Sequence, residues 1–470
     1  MVPTSMLTMK HQILSRRVAS LPIELDTWLR SAEADNLLER NFSQIEALDC
    51  FMRILCEVSE AGFNALNPAG DATVFLKGSF DLVNAIIKSH FMWDFFRDRL
   101  ELRFAPQFQQ LLLMADLISH DCYTTVTDRA KALRIMPEKG FREYPLIGLV
   151  AQFSPTTWRR GRRPPALQNH CLPVPVIDLP WDHLVNPWEL LTIAHEVGHD
   201  VDEDLGKLTE ALQPTLVNQM NKIKTPASRL VEWQKWTSEI LADLVGILLT
   251  GPAFTGALVG LLTLPRHYVL HIGSTDEHPP HYLRTFINTA LVRHLGLPQL
   301  ADDLEVRWKT LYGEPNDDFS PYFTEIEPVI AAILNTPITA LQDLDGKPHS
   351  LGELITFTPS DQARIKEAAA ELTAGTPLTR KLPIRQVLSA SQLAFEQMAQ
   401  SDSSAGIAAL AQRTQETIIE LKPPGQLPVG LALRRAREHL DDLALAYLER
   451  PLEDIGIHQP TARRRNDNTL

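Results

Sequence analysis

The chain has 470 residues, 44% of them hydrophobic, and carries 45 Lys and Arg against 58 Asp and Glu, a formal net charge of −13. That length allows two or three domains around a large core, the composition is that of an ordinary globular protein, and the acidic balance argues against a general nucleic-acid binder. Cys50, Cys56, Cys122 and Cys171 form no Cys-x-x-Cys pair, and no apolar leader opens the chain, so the sequence predicts buried thiols in a reducing compartment and a cytoplasmic protein.

Residues 1–140 read as helical, with apolar residues recurring at three- and four-residue steps through 45–58, 80–96 and 108–118. Asn67-Pro68-Ala69-Gly70-Asp71 reads as a turn. The pattern changes near 141. Residues 144–153 read as a strand and residues 172–180 as a second, with the basic run at 158–165 between them as a solvated turn or hairpin tip, or alternatively a contact for a peptide or anion. Pro173, Pro175 and Pro180 predict an edge position for the second strand, because proline cannot donate to a ladder. A helix follows: Asn186 can cap it, Pro187 suits its first turn, Glu189 stands at the third position of a capping box, and the pattern runs through Val201. The acidic run Asp200, Asp202, Glu203 and Asp204 reads as a solvated helix end, or, if it borders a cleft, as a preference for basic substrates. Residues 244–264 carry no charge and are long enough to span a bilayer. Gly251-Pro252 divides them, so they read as two buried helices without membrane insertion.

Helical patterns return at 328–334, 361–372, 384–398 and 431–448, parted by loops such as Lys422-Pro423-Pro424-Gly425, and Arg463-Arg464-Arg465 reads as a frayed tail. There is no internal repeat. The expected fold is mainly α with a small β-sheet, in three regions: helical at 1–140, a catalytic core at 141–295, and helical again at 296–470.

Chemistry concentrates in His195-Glu196-Val197-Gly198-His199. On a helix, positions four apart share a face, so both imidazoles can aim at one metal ion while Glu196 reaches a water on it. Two histidines and a glutamate base are the arrangement of a zinc hydrolase of peptide bonds. Leu190, Ile193, Val197 and Val201 form a separate apolar stripe, and Gly198 allows close backbone approach. The alternative is a buried helix with two satisfied histidines. No third His follows a Gly after His199, which excludes a metzincin. Forty positions downstream, Glu239 and Asp243 stand i and i+4 among Ile240, Leu241, Leu244 and Val245. Acids in such a setting need partners, which argues against a solvated face. Glu239 is the natural third ligand, and Asp243 can accept the free N–H of a ligand histidine.

HEVGH followed by Glu239-Ile240-Leu241-Ala242-Asp243 resembles the gluzincin zinc peptidases, particularly the HtpX and CAAX-prenyl-protease type. Their third motif, His-Pro and then Arg, is matched by His278-Pro279 and Arg284. The resemblance covers residues 174–290 and implies a zincin-type core holding one Zn²⁺, with His278 near the reacting carbonyl and Arg284 pairing with a carboxylate. Tyr268, His271, His281 and Tyr282 are further candidates to stabilise an oxyanion, and His278 could instead cap the next helix. In peptidases of this kind an edge strand beside the active-site helix binds substrate backbone by strand addition. That role would fall to Val174, Val176 and Ile177, unless the segment is a plain connection. The flanks match no pattern, so substrate identity does not carry over.

The leading expectation is a zinc metallopeptidase acting on a protein or peptide, with a regulatory protein partner reached through the helical flanks. The alternatives are a catalytically silent metal-binding regulator and a zinc hydrolase of a non-peptide bond.

Overall fold

The computed structural model describes residues 4–34, 38–137, 140–160, 172–273, 277–314, 317–400, 404–422 and 433–449. Cys171, the basic residues at 161–165, Ser274-Thr275-Asp276, the loop at 423–425 and the C-terminal arginines lie outside them. The fold is mainly α with a small β-sheet, as expected. By its internal contacts the chain forms two compact units.

The first unit comprises Met1–Ala105, Trp158–Val174 and Gly425–Leu470. Its helices are α1 (Thr4–Ala34), α2 (Leu38–Asn64), α3 (Ala72–Glu101) and the helix Leu433–Leu448. The predicted turn at 67–71 ends in Asp71, whose carboxylate caps α3 by accepting from Thr73 N at 2.9 Å and Val74 N at 3.0 Å. Apolar stripes on α1 and α3 meet at Leu14, Leu82 and Ile86. The helix Leu433–Leu448 packs on α2, and Lys88 Nζ, buried on α3, donates to Leu448 O at 2.5 Å.

The second unit, Pro106–Thr157 with Pro175–Pro424, holds the motifs. Its first helix is α4 (Pro106–Ala132), followed by β1 (Leu146–Val150), β2 (Thr156–Trp158) and β3 (Val176–Pro180) in the order β1-β3-β2. β3 is therefore the central strand, parallel to β1 from Leu146↔Val176 to Val150↔Pro180, which corrects the edge expectation. The prolines are tolerated because they stand at its ends: Pro175 precedes the strand and offers its carbonyl to Leu146 N at 2.9 Å, and Pro180 is the last residue.

A 3-10 segment, Pro187–Leu191, leads into α5 (Thr192–Asp204), so the α-helix begins later than predicted and no side chain caps it. α6 (Leu208–Lys222) follows, then α7 (Ala227–Thr250) and α8 (Pro252–Leu262). Gly251 separates the last two at φ +73°, where a Cβ would lie 2.3 Å from the Phe357 ring. Among the described residues no helix is long and apolar enough to cross a membrane. The remaining helices of the unit are α9 (Arg266–Val269), α10 (His281–His294), α11 (Pro298–Tyr312), α12 (Ser320–Asn335), α13 (Leu351–Leu354), α14 (Pro359–Ala374), α15 (Ile384–Ala399) and α16 (Ser404–Glu420). The pair β4 (Ile338–Gln342) and β5 (Pro348–His349), absent from the sequence reading, lies between α12 and α13.

Two polar expectations also change. The acidic run is not a solvated end: Asp200 and Asp202 are buried, Asp202 accepts from Thr209 N at 2.7 Å and Thr209 Oγ1 at 2.9 Å, and Asp204 accepts from Tyr123 OH at 2.6 Å. The two bonds to Asp202 secure the start of α6, the work of an N-terminal cap done from the preceding helix. In the basic run, Arg160 is buried and donates to Pro173 O at 3.0 Å rather than facing solvent.

Candidate metal centre

Helices α5 and α7 build the centre by packing side by side. Their approach depends on Gly198: a Cβ there would lie 2.8 Å from Ala242 Cα and 3.1 Å from Ala242 O. Because Ala242 stands between Glu239 and Asp243, that contact brings both acids against the histidine face of α5. His195 Nε2 lies 3.3 Å from Glu239 Oε2, and His199 Nε2 lies 3.3 Å from Glu239 Oε1. All three residues are buried.

Those spacings test the fit of a metal. Two ligands bound at about 2.0–2.1 Å to a tetrahedral ion sit about 3.3–3.4 Å apart; each histidine nitrogen lies at that separation from one of the two Glu239 oxygens, and the three ligand atoms lie within 4.8 Å of one another. Buried Glu239 Oε2 makes no well-aligned hydrogen bond; the nitrogens facing it are His195 Nε2 at 3.3 Å and His278 Nε2 at 3.0 Å, and a carboxylate oxygen so placed is stabilised by a cation. Two imidazoles and a carboxylate therefore suit a divalent ion of borderline softness.

Around these three lies a supporting shell. His195 Nδ1 donates to Asp243 Oδ1 at 2.7 Å, which fixes the ring and leaves Nε2 for the ligand position. Asp243 in turn receives a two-pronged pair from Arg284, Nε to Oδ2 and Nη2 to Oδ1, each at 2.7 Å. Asn288, one turn along α10 from Arg284, adds Nδ2 to Oδ2 at 3.2 Å. Phe254 lies parallel to the His195 ring at 6.3 Å between centroids. Neither Asn288 nor Phe254 was singled out from sequence, although the i+4 relation to Arg284 could have flagged Asn288.

Glu196 is buried on the same helix and is held from the sheet. Thr157 Oγ1 donates to Glu196 Oε2 at 2.5 Å and lies 3.2 Å from the Glu196 carbonyl oxygen. Nothing in the sequence around Thr157 announces this. His278 does not cap a helix; α10 begins at His281 behind Pro280, and His278 Nε2 instead faces Glu239 Oε2 at 3.0 Å. Its ring is 54% exposed, so it can turn toward a ligand in the cleft. Tyr282 turns away, its hydroxyl donating to Gly313 O at 2.8 Å. Val174, Val176 and Ile177 are buried, and the last two lie in β3, which has strands on both sides and offers no free ladder to a peptide.

Electrostatics follow from this packing. Burial opposes charge on His195, but its bonds to Asp243 and Glu239 override that and raise its pKa to about 9. Burial would raise the Glu239 carboxyl, yet the charge of His199 and the contacts of all three histidines hold it well below the usual carboxylate range. Asp243 behaves likewise: burial is outweighed by Arg284 and His195, and its carboxyl stays ionised.

A small cavity of about 70 Å³, lined by Glu196, His195, Phe254 and His278, adjoins a cleft of about 420 Å³. Phe153, Leu261, Leu264 and Tyr268 give the cleft an apolar wall, with His271, His281 and Glu277 at its polar side.

Compared with protein families, with curated proteins and with solved structures, the chain matches none of them.

Proposed function

We propose that this chain is a zinc-dependent metallopeptidase. The observation that carries the reading is the convergence of His195, His199 and Glu239, each histidine Nε2 lying 3.3 Å from a Glu239 oxygen, with Glu196 lining the adjoining cavity. His195 and His199 through Nε2 and Glu239 through its carboxylate would hold the ion. Bound zinc brings the pKa of a coordinated water toward neutrality and polarises a carbonyl.

The chain's own groups do the rest. Glu196 accepts a proton from the attacking water at its carboxylate and returns it to the leaving amine. Thr157 Oγ1 donates to Oε2 of that carboxylate and fixes its orientation beside the cavity. His278 would donate from Nε2 to the developing oxyanion by turning from Glu239; its half-exposed ring bordering the cavity supports that role. Asp243 and Arg284 keep His195 in the tautomer that presents Nε2. The apolar wall of the cleft favours a substrate with a bulky apolar side chain beside the cleaved bond.

The test compares wild type with Glu196→Gln for bound zinc and for cleavage of a fluorogenic peptide library. The expected result is that zinc is retained while kcat falls by about 10²–10⁴-fold, the usual worth of a general base. Zinc bound by wild type without turnover on any peptide would replace this reading with a metal-binding regulator. Zinc retention by His195→Ala would remove the centre altogether.

A further inference from the structure

A second group of metal-ligating side chains lies outside the centre, in the two 3-10 turns before α5, Trp181–Val185 and Pro187–Leu191. Asp182, His183 and Glu189 each offer a ligand atom, and these atoms lie within 4.8 Å of one another. His183 is only 5% exposed, yet its Nδ1 is buried without a hydrogen-bond partner. Its Nε2 faces Glu189 Oε2 at 3.7 Å. That distance is too long for a hydrogen bond and close to the separation of two ligands on one cation. A buried imidazole without hydrogen bonds is costly, and one with two carboxylates within ligand reach is the arrangement that a divalent ion relieves.

The backbone arranges the three residues. Asn186 N donates to His183 O at 3.3 Å, and Glu189 N donates to Asn186 O at 2.9 Å, so two consecutive turns fold residue 189 back over residues 182 and 183. Asn186 Nδ2 holds Glu189 Oε1 at 3.3 Å, which leaves Oε2 toward the histidine. Glu189 O then accepts from Thr192 Oγ1 at 2.8 Å, at the first residue of α5.

We propose that Asp182, His183 and Glu189 form a second divalent-cation site, distinct from the His195 centre, that clamps the turn preceding α5. One imidazole with two carboxylates suits a first-row transition ion in the range from Mn²⁺ to Zn²⁺ better than Mg²⁺ or Ca²⁺, which take oxygen ligands alone. The clamp holds the first turn of the helix that carries His195, so its role is positional and its ligands do not touch the reacting groups.

The experiment counts metal in the full chain and needs no catalytic activity. Protein equilibrated with Co²⁺ is freed of excess ion by gel filtration, and bound metal is measured by mass spectrometry. Wild type is expected to hold about two equivalents, and His183→Ala or Glu189→Gln about one. In a His195→Ala/His199→Ala background, one equivalent should remain and should vanish when His183→Ala is added. A single equivalent in wild type that His183→Ala leaves untouched would overturn the site. So would a second equivalent displaced by millimolar Mg²⁺ or unaffected by Glu189→Gln. If the double variant does not fold, the comparison of wild type with His183→Ala still decides, read by the ligand-field spectrum of Co²⁺. Loss of the His195 centre alone would remove the other equivalent, so failure of the proposed function and failure of this site are told apart.

Discussion

At the scale of single residues, Asp243 is the position on which most depends. It orients His195 through one oxygen and holds Arg284 through both. Asp243→Ala should weaken metal binding by about 10–100-fold, the cost of losing a carboxylate behind a ligand histidine. It should also cost about 3–5 kcal/mol of stability, because the buried Arg284 guanidinium is left without its partner. Chelator competition reads the first effect and urea denaturation the second. His195 supplies a proton-linked prediction. With its folded pKa raised to about 9, the metal-free ring is protonated at pH 7.5, and binding an ion at Nε2 must expel that proton. Calorimetry in buffers of different ionisation enthalpy should show proton release at pH 7.5 that fades above pH 9. By the same linkage, the stability contributed by the charged ring is full below about pH 6.5 and is lost as pH rises through about 9. These residues were legible in the sequence because helix geometry fixes which side chains share a face: His195 with His199, and Glu239 with Asp243. Thr157 was not, because it meets Glu196 from a strand 39 positions earlier and only the tertiary fold sets that meeting.

At the scale of elements, the seam between α5 and α7 decides whether the centre assembles. Gly198→Ala places a methyl 2.8 Å from the Ala242 backbone, which cannot yield as a flexible side chain can. The helices must separate, and the expected cost is about 1–3 kcal/mol, seen in chemical denaturation together with weaker metal retention. Reading elements from sequence succeeded where periodicity is long, as in α2, α3, α4 and α15, and at Gly251-Pro252, where two breakers adjoin. It failed where the deciding fact was a neighbour. The prolines of 172–180 pointed to an edge, but their places at the strand ends cost no ladder donor, and β3 became central. The acidic run after His199 looked solvated because charge density alone was visible, whereas Thr209 and Tyr123 bring it into the interior.

At the scale of the whole molecule, the chain order hides the grouping of its parts. Tyr447 OH donates to Lys88 O at 2.7 Å across 359 positions, so the helix Leu433–Leu448 is packed with helices made from the first hundred residues. No local pattern announces such a return, since only the amphipathic face is visible in sequence and not its partner. Deleting residues 425–470 should therefore raise amide exchange across α2 and α3 while leaving exchange in α5 and α7 unchanged. Hydrogen-exchange mass spectrometry measures both regions in one sample. Equal acceleration in all four helices would show that the two units unfold together.

The buried acids of the centre have one more consequence, in valence. Glu196, Glu239 and Asp243 lie beneath the surface, and Arg284 answers one of them. With both imidazoles neutral, the pocket is left with a surplus of two negative charges in a medium that tolerates none. A doubly charged ion makes it electroneutral, whereas a monovalent or trivalent ion would strand a charge where water cannot screen it. If the centre holds a metal as proposed, the pocket would sort ions by charge before ligand geometry discriminates among those that qualify.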